Sequence, residues 1–170
     1  VVIETATSPD KFRTLPVPAA SQQRVVANRN TNNDPLSTLT DGKLDRGFGP
    51  VFSNTVFNGA YKLDLGSVKP VTAVTNWSFN QGNTRATQKL TIYGSDSPKD
   101  PGWDLNTYTP LGTIHTGTQK SPFLAASVRA VNSNTLGNFR WIVWRVSPVS
   151  DLGGGENTAF QELAVSIEGE

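Results

Sequence analysis

"FRWIVWRV", residues 139–146, is the stretch that decides the fold. Its apolar residues fall on both faces of an extended chain, and aromatic and β-branched side chains dominate it. A strand with this composition is typically covered on both sides. The sequence therefore predicts a central strand that places Trp141 and Trp144 on opposite faces. One of these rings belongs to the core, and the other needs cover from the N-terminal segment or a loop.

Three further runs alternate apolar and polar residues, which is the pattern of half-buried strands. They are "YKLDL" (61–65), "KLTIYG" (89–94) and "FQELAVSI" (160–167). Turn-forming stretches such as "DLGS", "NQGN", "YGSDSPKDPG" and "LGGGEN" separate them. Long helical patterns are absent from the sequence, so the runs predict an all-β sandwich.

Composition limits the function classes. The chain has 170 residues, the size of about one domain. It has no Cys, which excludes disulfides, zinc–thiolate sites and thiol nucleophiles. A net charge of +1 gives no strong field for nucleic acid or for anionic lipid. No apolar run reaches the ~20 residues that span a bilayer, so we expect no transmembrane segment.

The order of these motifs resembles that of discoidin domains, also called coagulation factor V/VIII type C domains. The motifs are "LTDG", "YKLDLGS", "NWSFNQGNTRATQKLTIYGSDSP", "FRWIVWRV" and "FQELAV". The resemblance covers roughly residues 17–168 and extends to family 32 carbohydrate-binding modules and fucose-binding lectins. It implies an all-β jelly-roll sandwich of the galactose-binding type. We therefore expect an N-terminal arm at 1–16 and one carbohydrate-binding domain at 17–170.

The "DG" turn at Asp41 suggests a cation site, because Ca²⁺ takes six to eight oxygen ligands and turns supply uncommitted carbonyls. The resemblance implies a structural calcium ion between this turn and the Glu of the last strand. The implied carboxylates are Asp41 and Glu162. The implied carbonyl and hydroxyl donors are Thr38, Lys43, Gln161 and Ser53. The alternative is that Asp41 caps a turn and Glu162 is a solvated residue.

The loop at 76–85, "NWSFNQGNTR", is the candidate sugar site, because stacking aromatics and forked donors recognise sugar rings. Trp77 is the expected platform and Arg85 the donor fork. The remaining candidate contacts are the amides of Asn76, Asn80, Gln81 and Asn83. Fucose-binding relatives carry basic residues at both ends of this loop, and here Trp77 stands near the first. Alternatively, Trp77 is core and Arg85 ties the loop to backbone carbonyls.

Additional lining residues of that site are expected in the preceding segment, at Phe48, Phe52, Asn54 and Phe57. His115, the single His, is expected on the surface or as a sugar contact. The "LGGGEN" run precedes a strand and lacks the Lys-Ser/Thr of a phosphate loop.

The leading hypothesis is a non-catalytic module that binds an oligo- or polysaccharide. It would be excised from a larger, secreted or extracellular protein with neighbouring domains. A second hypothesis is an adhesion module that binds protein or membrane through apolar loop tips such as Phe52, Phe57 and Phe123. A third is a jelly-roll enzyme, although no converging carboxyl pair of the glycosidase type stands out in the sequence.

Overall fold

The computed structural model describes residues 1–7, 25–44, 49–52, 58–80, 85–118, 120–132, 134–150 and 157–169. These residues form ten strands and two short 3₁₀ turns. The strands are β1 Val2–Ala6, β2 Val25–Ala27, β3 Thr31–Asn32, β4 Val51–Phe52, β5 Gly59–Phe79, β6 Lys89–Ser95, β7 Thr109–His115, β8 Phe123–Arg129, β9 Gly137–Val146 and β10 Phe160–Ile167. The 3₁₀ turns are Leu36–Thr40 and Leu105–Thr107. No helix among the described residues is long and apolar enough to cross a membrane.

The long strand β5 joins two layers of a sandwich. Its first part, residues 59–64, pairs with β2 and β9, and β9 continues through β6 to β7. Its second part, residues 71–79, pairs with β10 and with β8, which pairs in turn with β1. The register is irregular between Asp64 and Lys69, where Gly66 takes a positive φ of 85°. The predicted all-β sandwich is confirmed.

Both ends of β5 return to one end of the sandwich, which we call the loop end. The Tyr61 ring meets the Phe160 ring edge-on, with 6.1 Å between centroids, and Phe160 pairs with Ser78 near the other end of β5. β9 ends and β10 begins at this same end, since Val146 pairs with Gly59 and Phe160 with Ser78. The loop end therefore gathers the connections between many strands.

The alternation of the strands is seen in the core. Tyr61, Leu63, Leu90, Ile92 and Trp144 are all buried in one large cluster, as the sequence pattern predicts. Trp141 belongs to a second cluster on the opposite face of the first layer, which we call the outer cluster. Its buried members are Ala60, Tyr108, Trp141 and Val143, with Tyr93, Trp103 and Leu105 packed against them. The cover that Trp141 requires thus comes from the 96–108 connection.

The beginning of the predicted N-terminal arm is a regular strand. β1 pairs with β8 in antiparallel register from Val2, opposite Arg129, to Ala6, opposite Ala125. An ion pair between Glu4 and Arg129, at 2.7 Å, adds to this pairing. The first residues of the arm are therefore an edge strand of the second layer. Residues 8–24 lie outside the described ranges, and the boundary at 16/17 stays a prediction.

Candidate functional site

The "DG" turn and the last strand meet, as the resemblance implies. The Gly42 N–H donates a hydrogen bond of 3.0 Å to Glu162 Oε1. Gly42 has a φ of 75°, a left-handed conformation that Gly adopts without strain. The Lys43 N–H donates to Asp41 Oδ1 at 2.9 Å, so the Asp41 carboxylate also caps its own turn. The sequence thus brings two carboxylates, 121 positions apart, to one junction.

Glu162 is not the solvated residue of the alternative reading. Only 6% of it is exposed, and its Oε2 is buried with no hydrogen-bond partner among the described residues. Burial raises its pKa to about 9; the Gly42 hydrogen bond opposes this rise, and the neighbouring Asp41 carboxylate adds to it. A buried carboxylate oxygen without a partner, beside a second carboxylate, is the donor chemistry that a hard cation satisfies. The residues of this junction therefore fit a calcium ion.

The sheet ladder is irregular directly before Glu162. Phe160 pairs with Ser78 and Glu162 with Trp77, and the register shifts between the two pairs. Gln161 sits at this bulge, and a bulged residue is left out of the ladder. The expected Gln161 carbonyl donor is thus compatible with the observed register. Gly49 lies against the same place, because a Cβ there would be 1.8 Å from the Phe160 carbonyl oxygen.

The other predicted metal ligands divide into two groups. Thr38 lies in the 3₁₀ turn Leu36–Thr40, where its hydroxyl donates to the Pro35 carbonyl at 2.8 Å and its own carbonyl is the expected ligand. Lys43 is exposed directly after the turn. Ser53 lies outside the described residues, as does Asp45, the neighbouring acidic residue of the turn. No group of three or more His, Cys, Asp or Glu side chains suited to a metal occurs in the described part of the chain. A site here would therefore depend on carbonyls as well as on Asp41 and Glu162.

The expectation that Trp77 is an exposed platform is corrected by its burial. The residue is 2% exposed and belongs to the main core cluster. Its strand lies between β8 and β10, where Trp77 faces Ala125 on one side and Glu162 on the other. The ring cannot stack on a sugar without opening the core, so the core alternative describes its position.

Asn76 is likewise internal. It is fully buried, and its Nδ2 donates to Gln88 Oε1. Gln88 Nε2 donates in turn to Ser78 Oγ at 2.9 Å and to the Leu124 carbonyl at 3.2 Å. Buried amides require partners of this kind. Asn76 therefore joins β5 to the start of β6 and β8 rather than to a ligand.

Asn80 and Arg85 close the base of the predicted binding loop. Asn80, 8% exposed, accepts a hydrogen bond of 2.9 Å from the Arg85 N–H through its Oδ1. The Arg85 guanidinium donates through Nη1 to Asn157 Oδ1, and Asn157 Nδ2 donates to the Phe52 carbonyl at 3.0 Å. These four residues link β4, the end of β5 and the approach to β10. Arg85 is partly exposed, so it can both hold this base and offer its remaining donors outward.

Several expected contacts fall elsewhere. Gln81, Asn83, Phe48, Asn54 and Phe57 lie outside the described residues. Phe52 is 2% exposed and stacks on Tyr61 at 5.0 Å, so its expected place on the site rim or at a membrane-facing loop tip is corrected to the core. His115 is exposed at the end of β7, which is at the loop end because it pairs with Lys89 at the start of β6.

Comparison with known proteins identifies the fold. No family model and no curated protein sequence matches the chain. Solved structures do match. The family 32 carbohydrate-binding module of Clostridium perfringens NanJ, in complex with galactose, superimposes with a TM-score of 0.59 at 17% identity over 83% of this chain and 90% of that one. The chain has the fold of a family 32 carbohydrate-binding module.

Two further structures support this fold. A Clostridium perfringens module, CpGH89CBM32-5, in complex with GalNAc-β-1,3-galactose, has a TM-score of 0.59 at 12% identity, covering 86% of this chain and 99% of that one. The CBM32-1 and CBM32-2 domains of Clostridium perfringens ZmpB, in complex with GalNAc, give 0.67 at 12% identity. This match covers 96% of this chain but 38% of the two-domain structure. The resemblance to discoidin-like modules seen in the sequence is confirmed at the level of fold.

Asn157 and Gln88, which sequence reasoning missed, form hydrogen bonds with Arg85 and Asn76, two of the residues predicted for the sugar site. Asn157 ends the "LGGGEN" run, where the glycines drew attention to the loop and away from its last residue. Gln88 lies directly before "KLTIYG", between Thr87 and Lys89, in a polar stretch that gives no sign of its burial. A buried amide in a β-sandwich gives no sequence signal until its partners on other strands are known.

Proposed function

We propose that this chain is a non-catalytic carbohydrate-binding module that recognises a glycan at its loop end. The observation that carries the proposal is the position of Arg85, partly exposed at that end and held by Asn157. A guanidinium fixed through one nitrogen keeps further N–H donors in a rigid fork, which suits the paired hydroxyls of a sugar. The family 32 fold, whose solved neighbours include galactose and GalNAc complexes, supports this assignment.

We further propose that a calcium ion is held where Asp41 and Glu162 meet. The two carboxylates would bind it, with carbonyls of Thr38, Lys43 and Gln161 and with Ser53 completing the oxygen set. When bound, the ion neutralises two adjacent carboxylates. It would tie the segment at 38–43 to β10, and ligand binding to the folded state stabilises that state. The role is structural.

The cellular setting follows from the same proposal. The neighbours are modules from Clostridium perfringens proteins. In the ZmpB structures the matching part is a fraction of a longer chain, and one of these chains includes an M60 catalytic domain. We propose that this chain likewise works beside other domains of a secreted or surface protein. Its task would be to hold that protein on a glycan.

A glycan array with galactose-, GalNAc- and fucose-terminated probes, run with calcium and with chelator, tests the function. Arg85→Gln should reduce binding of the best probe at least tenfold, since hydrogen bonds from charged donors are the stronger class. Arg85→Lys should recover only part of it, because a single ammonium cannot replace the fork. Thermal unfolding of both variants controls for loss of the Asn157 contact. Wild-type affinity in both folded variants would falsify the assignment of this site.

A further inference from the structure

A pocket of about 190 Å³ opens on the outer side of the first layer, next to the loop end. It lies between the ends of three strands and the connection that covers the outer cluster. Asn28 and Arg29 follow β2, Asn58 precedes β5, Arg145 is the penultimate residue of β9, and Trp103 belongs to the covering connection. None of the residues placed at the proposed glycan or calcium sites lines it. The volume is below the ~300–1,000 Å³ of pockets for drug-sized ligands, so it suits one sugar residue.

The charges of this pocket are of one sign. Arg29 and Arg145 both line it and both are exposed, while no acidic residue is among the described residues that line it. Neither guanidinium makes an ion pair or a side-chain hydrogen bond with the described residues. By contrast, Arg129 forms an ion pair with Glu4, and Arg140 forms one with Asp64. Two arginines with no partner in the described part of the chain, beside a concave surface, favour an anionic ligand.

The aromatic member of the pocket is held rigidly. The Lys62 ammonium, 1% exposed as a residue, lies 4.1 Å from the centroid of the Trp103 ring. The same ammonium is bonded to Asp100 Oδ1 at 2.5 Å and to the Gly102 carbonyl at 3.2 Å. Trp103 remains partly exposed where it lines the pocket. A ring fixed from behind offers apolar surface to a ligand with little loss of entropy.

A neutral donor completes the set. Asn28 Oδ1 accepts a hydrogen bond of 2.8 Å from the Ala60 N–H, and the Asn28 N–H donates to the Ala60 carbonyl at 3.1 Å. The side chain is thereby fixed with its carbonyl oxygen engaged, which leaves its amide NH₂ as a donor. The pocket thus offers two guanidinium groups, one fixed amide and one aromatic ring face. Groups of these kinds recognise a sugar that bears an acidic substituent.

From this arrangement we infer that the pocket is a second binding site, specific for an acidic sugar residue that carries a carboxylate or a sulfate. Arg29 and Arg145 bind the anionic group, and Trp103 contacts the ring. The inference rests on the proposed function in that the ligand is a saccharide. The pocket uses different residues from the glycan site proposed at Arg85, so either proposal can fail while the other holds.

The test is isothermal calorimetry of the whole chain with three probes: trigalacturonic acid, galactose 6-sulfate and neutral β-1,4-galactotriose. The first two probes separate carboxylate from sulfate recognition. The variants are Arg29→Gln, Arg145→Gln and the double variant. Lys99→Gln is the matched control, because it removes one exposed charge from the same covering connection without touching the pocket. Arg85→Gln reports on the loop end.

At least one acidic probe should bind more tightly than galactotriose, and its affinity should fall as salt rises. Each pocket substitution should weaken that binding roughly tenfold and the double variant about a hundredfold, with Lys99→Gln unchanged. Equal affinity in the double variant overturns the inference, and so does binding of inorganic sulfate as tight as that of galactose 6-sulfate. Failure to bind either acidic probe overturns it while leaving neutral-glycan binding at Arg85 intact. Failure to bind any saccharide contradicts the proposed function as well.

Discussion

Two buried ionisable groups hold outlying segments against this sandwich, and they are compensated differently. Lys62 is enclosed on the outer side of the first layer, where Asp100, the Gly102 carbonyl and the Trp103 ring surround its ammonium. Glu162 is enclosed at the "DG" turn, where Gly42 supplies one hydrogen bond and the neighbouring Asp41 side chain is another carboxylate. The protein supplies the counter-charge in the first case. In the second it supplies a like charge.

The difference is that the polar partners of Lys62 all come from the chain, whereas Glu162 still needs a partner. A buried ion loses several kcal/mol of hydration, which only partners can offset. Lys62 has those partners among this chain's own side chains and carbonyls. Glu162 Oε2 has none among the described residues. The comparison predicts that an external cation matters at Glu162 and that nothing external matters at Lys62.

The largest expected effect is calcium removal. Chelation should lower the stability of the wild-type chain by about 3–4 kcal/mol relative to calcium at 100–1,000 times its dissociation constant. Glu162→Gln should abolish this difference, because the isosteric amide keeps the shape but not the charge. Differential scanning calorimetry with EDTA and with excess calcium measures it. Asp100→Asn is the matched control, and equal chelator sensitivity of Glu162→Gln and wild type would break the comparison.

A second prediction concerns how tightly the "DG" side closes on β10. Gly49→Ala should destabilise the fold by about 1–3 kcal/mol or more, since its Cβ would meet the Phe160 backbone at 1.8 Å. Gly102→Ala on the Lys62 side is the control: it carries the strain of its φ of 75° but meets nothing within 4 Å. Chemical denaturation of both variants measures the difference. A Gly49→Ala chain no less stable than Gly102→Ala would contradict the close approach.

Third, Asp100→Asn should destabilise the chain by about 1–3 kcal/mol at neutral pH, because it leaves the buried ammonium without its counter-charge. Although partial burial raises the Asp100 pKa, the hydrogen bonds from Lys62 and Gly102 bring it below its ordinary value. A lowered folded-state pKa means that the pair stabilises above the unfolded-state pKa near 3.9. This contribution is lost as the pH falls through the folded value. Wild type should therefore lose more stability than Asp100→Asn in melting curves below about pH 4.

The smallest effect is expected for Lys62→Met. Replacing a buried ion by an apolar side chain of similar length is often nearly neutral, and here it should cost less than about 1.5 kcal/mol. The methionine can still pack between Trp103 and Trp141, which the lysine now contacts at 4.1 and 5.7 Å. Urea denaturation of Lys62→Met and Asp100→Asn under the same conditions compares their free energies of unfolding. If Lys62→Met is the more damaging of the two, the ammonium contributes more than its burial costs.

The sequence predicted the elements of this molecule better than it predicted their surroundings. Alternation placed Tyr61, Leu63 and Ile92 on the core side, because one covered face leaves a period of two. The same alternation predicts that Lys62 lies on the face opposite the core. It does lie there, but the 96–108 connection buries that face. Local pattern carries no information about which distant loop covers a face.

Trp77 shows the same limit in the candidate site. Its loop has the composition of a sugar site, yet its neighbours Ala125 and Glu162 come from strands that lie far away in sequence. The meeting of Asp41 with Glu162 was predictable because the motif order resembled a known fold. The pocket of Arg29, Arg145 and Trp103 had no such guide, since three separate segments form it.

The corner in β5 has a consequence for the way amide protons exchange with solvent. Because one strand supplies a central ladder to both layers, neither layer can open fully while the other keeps its hydrogen bonds. Amides near Leu63 in the first layer and Val74 in the second should thus exchange only through global unfolding. Their protection should report the same free energy, and calcium should raise both equally although the junction lies beside only the second. The strand makes the sandwich one cooperative unit in which a ligand at one edge slows exchange throughout.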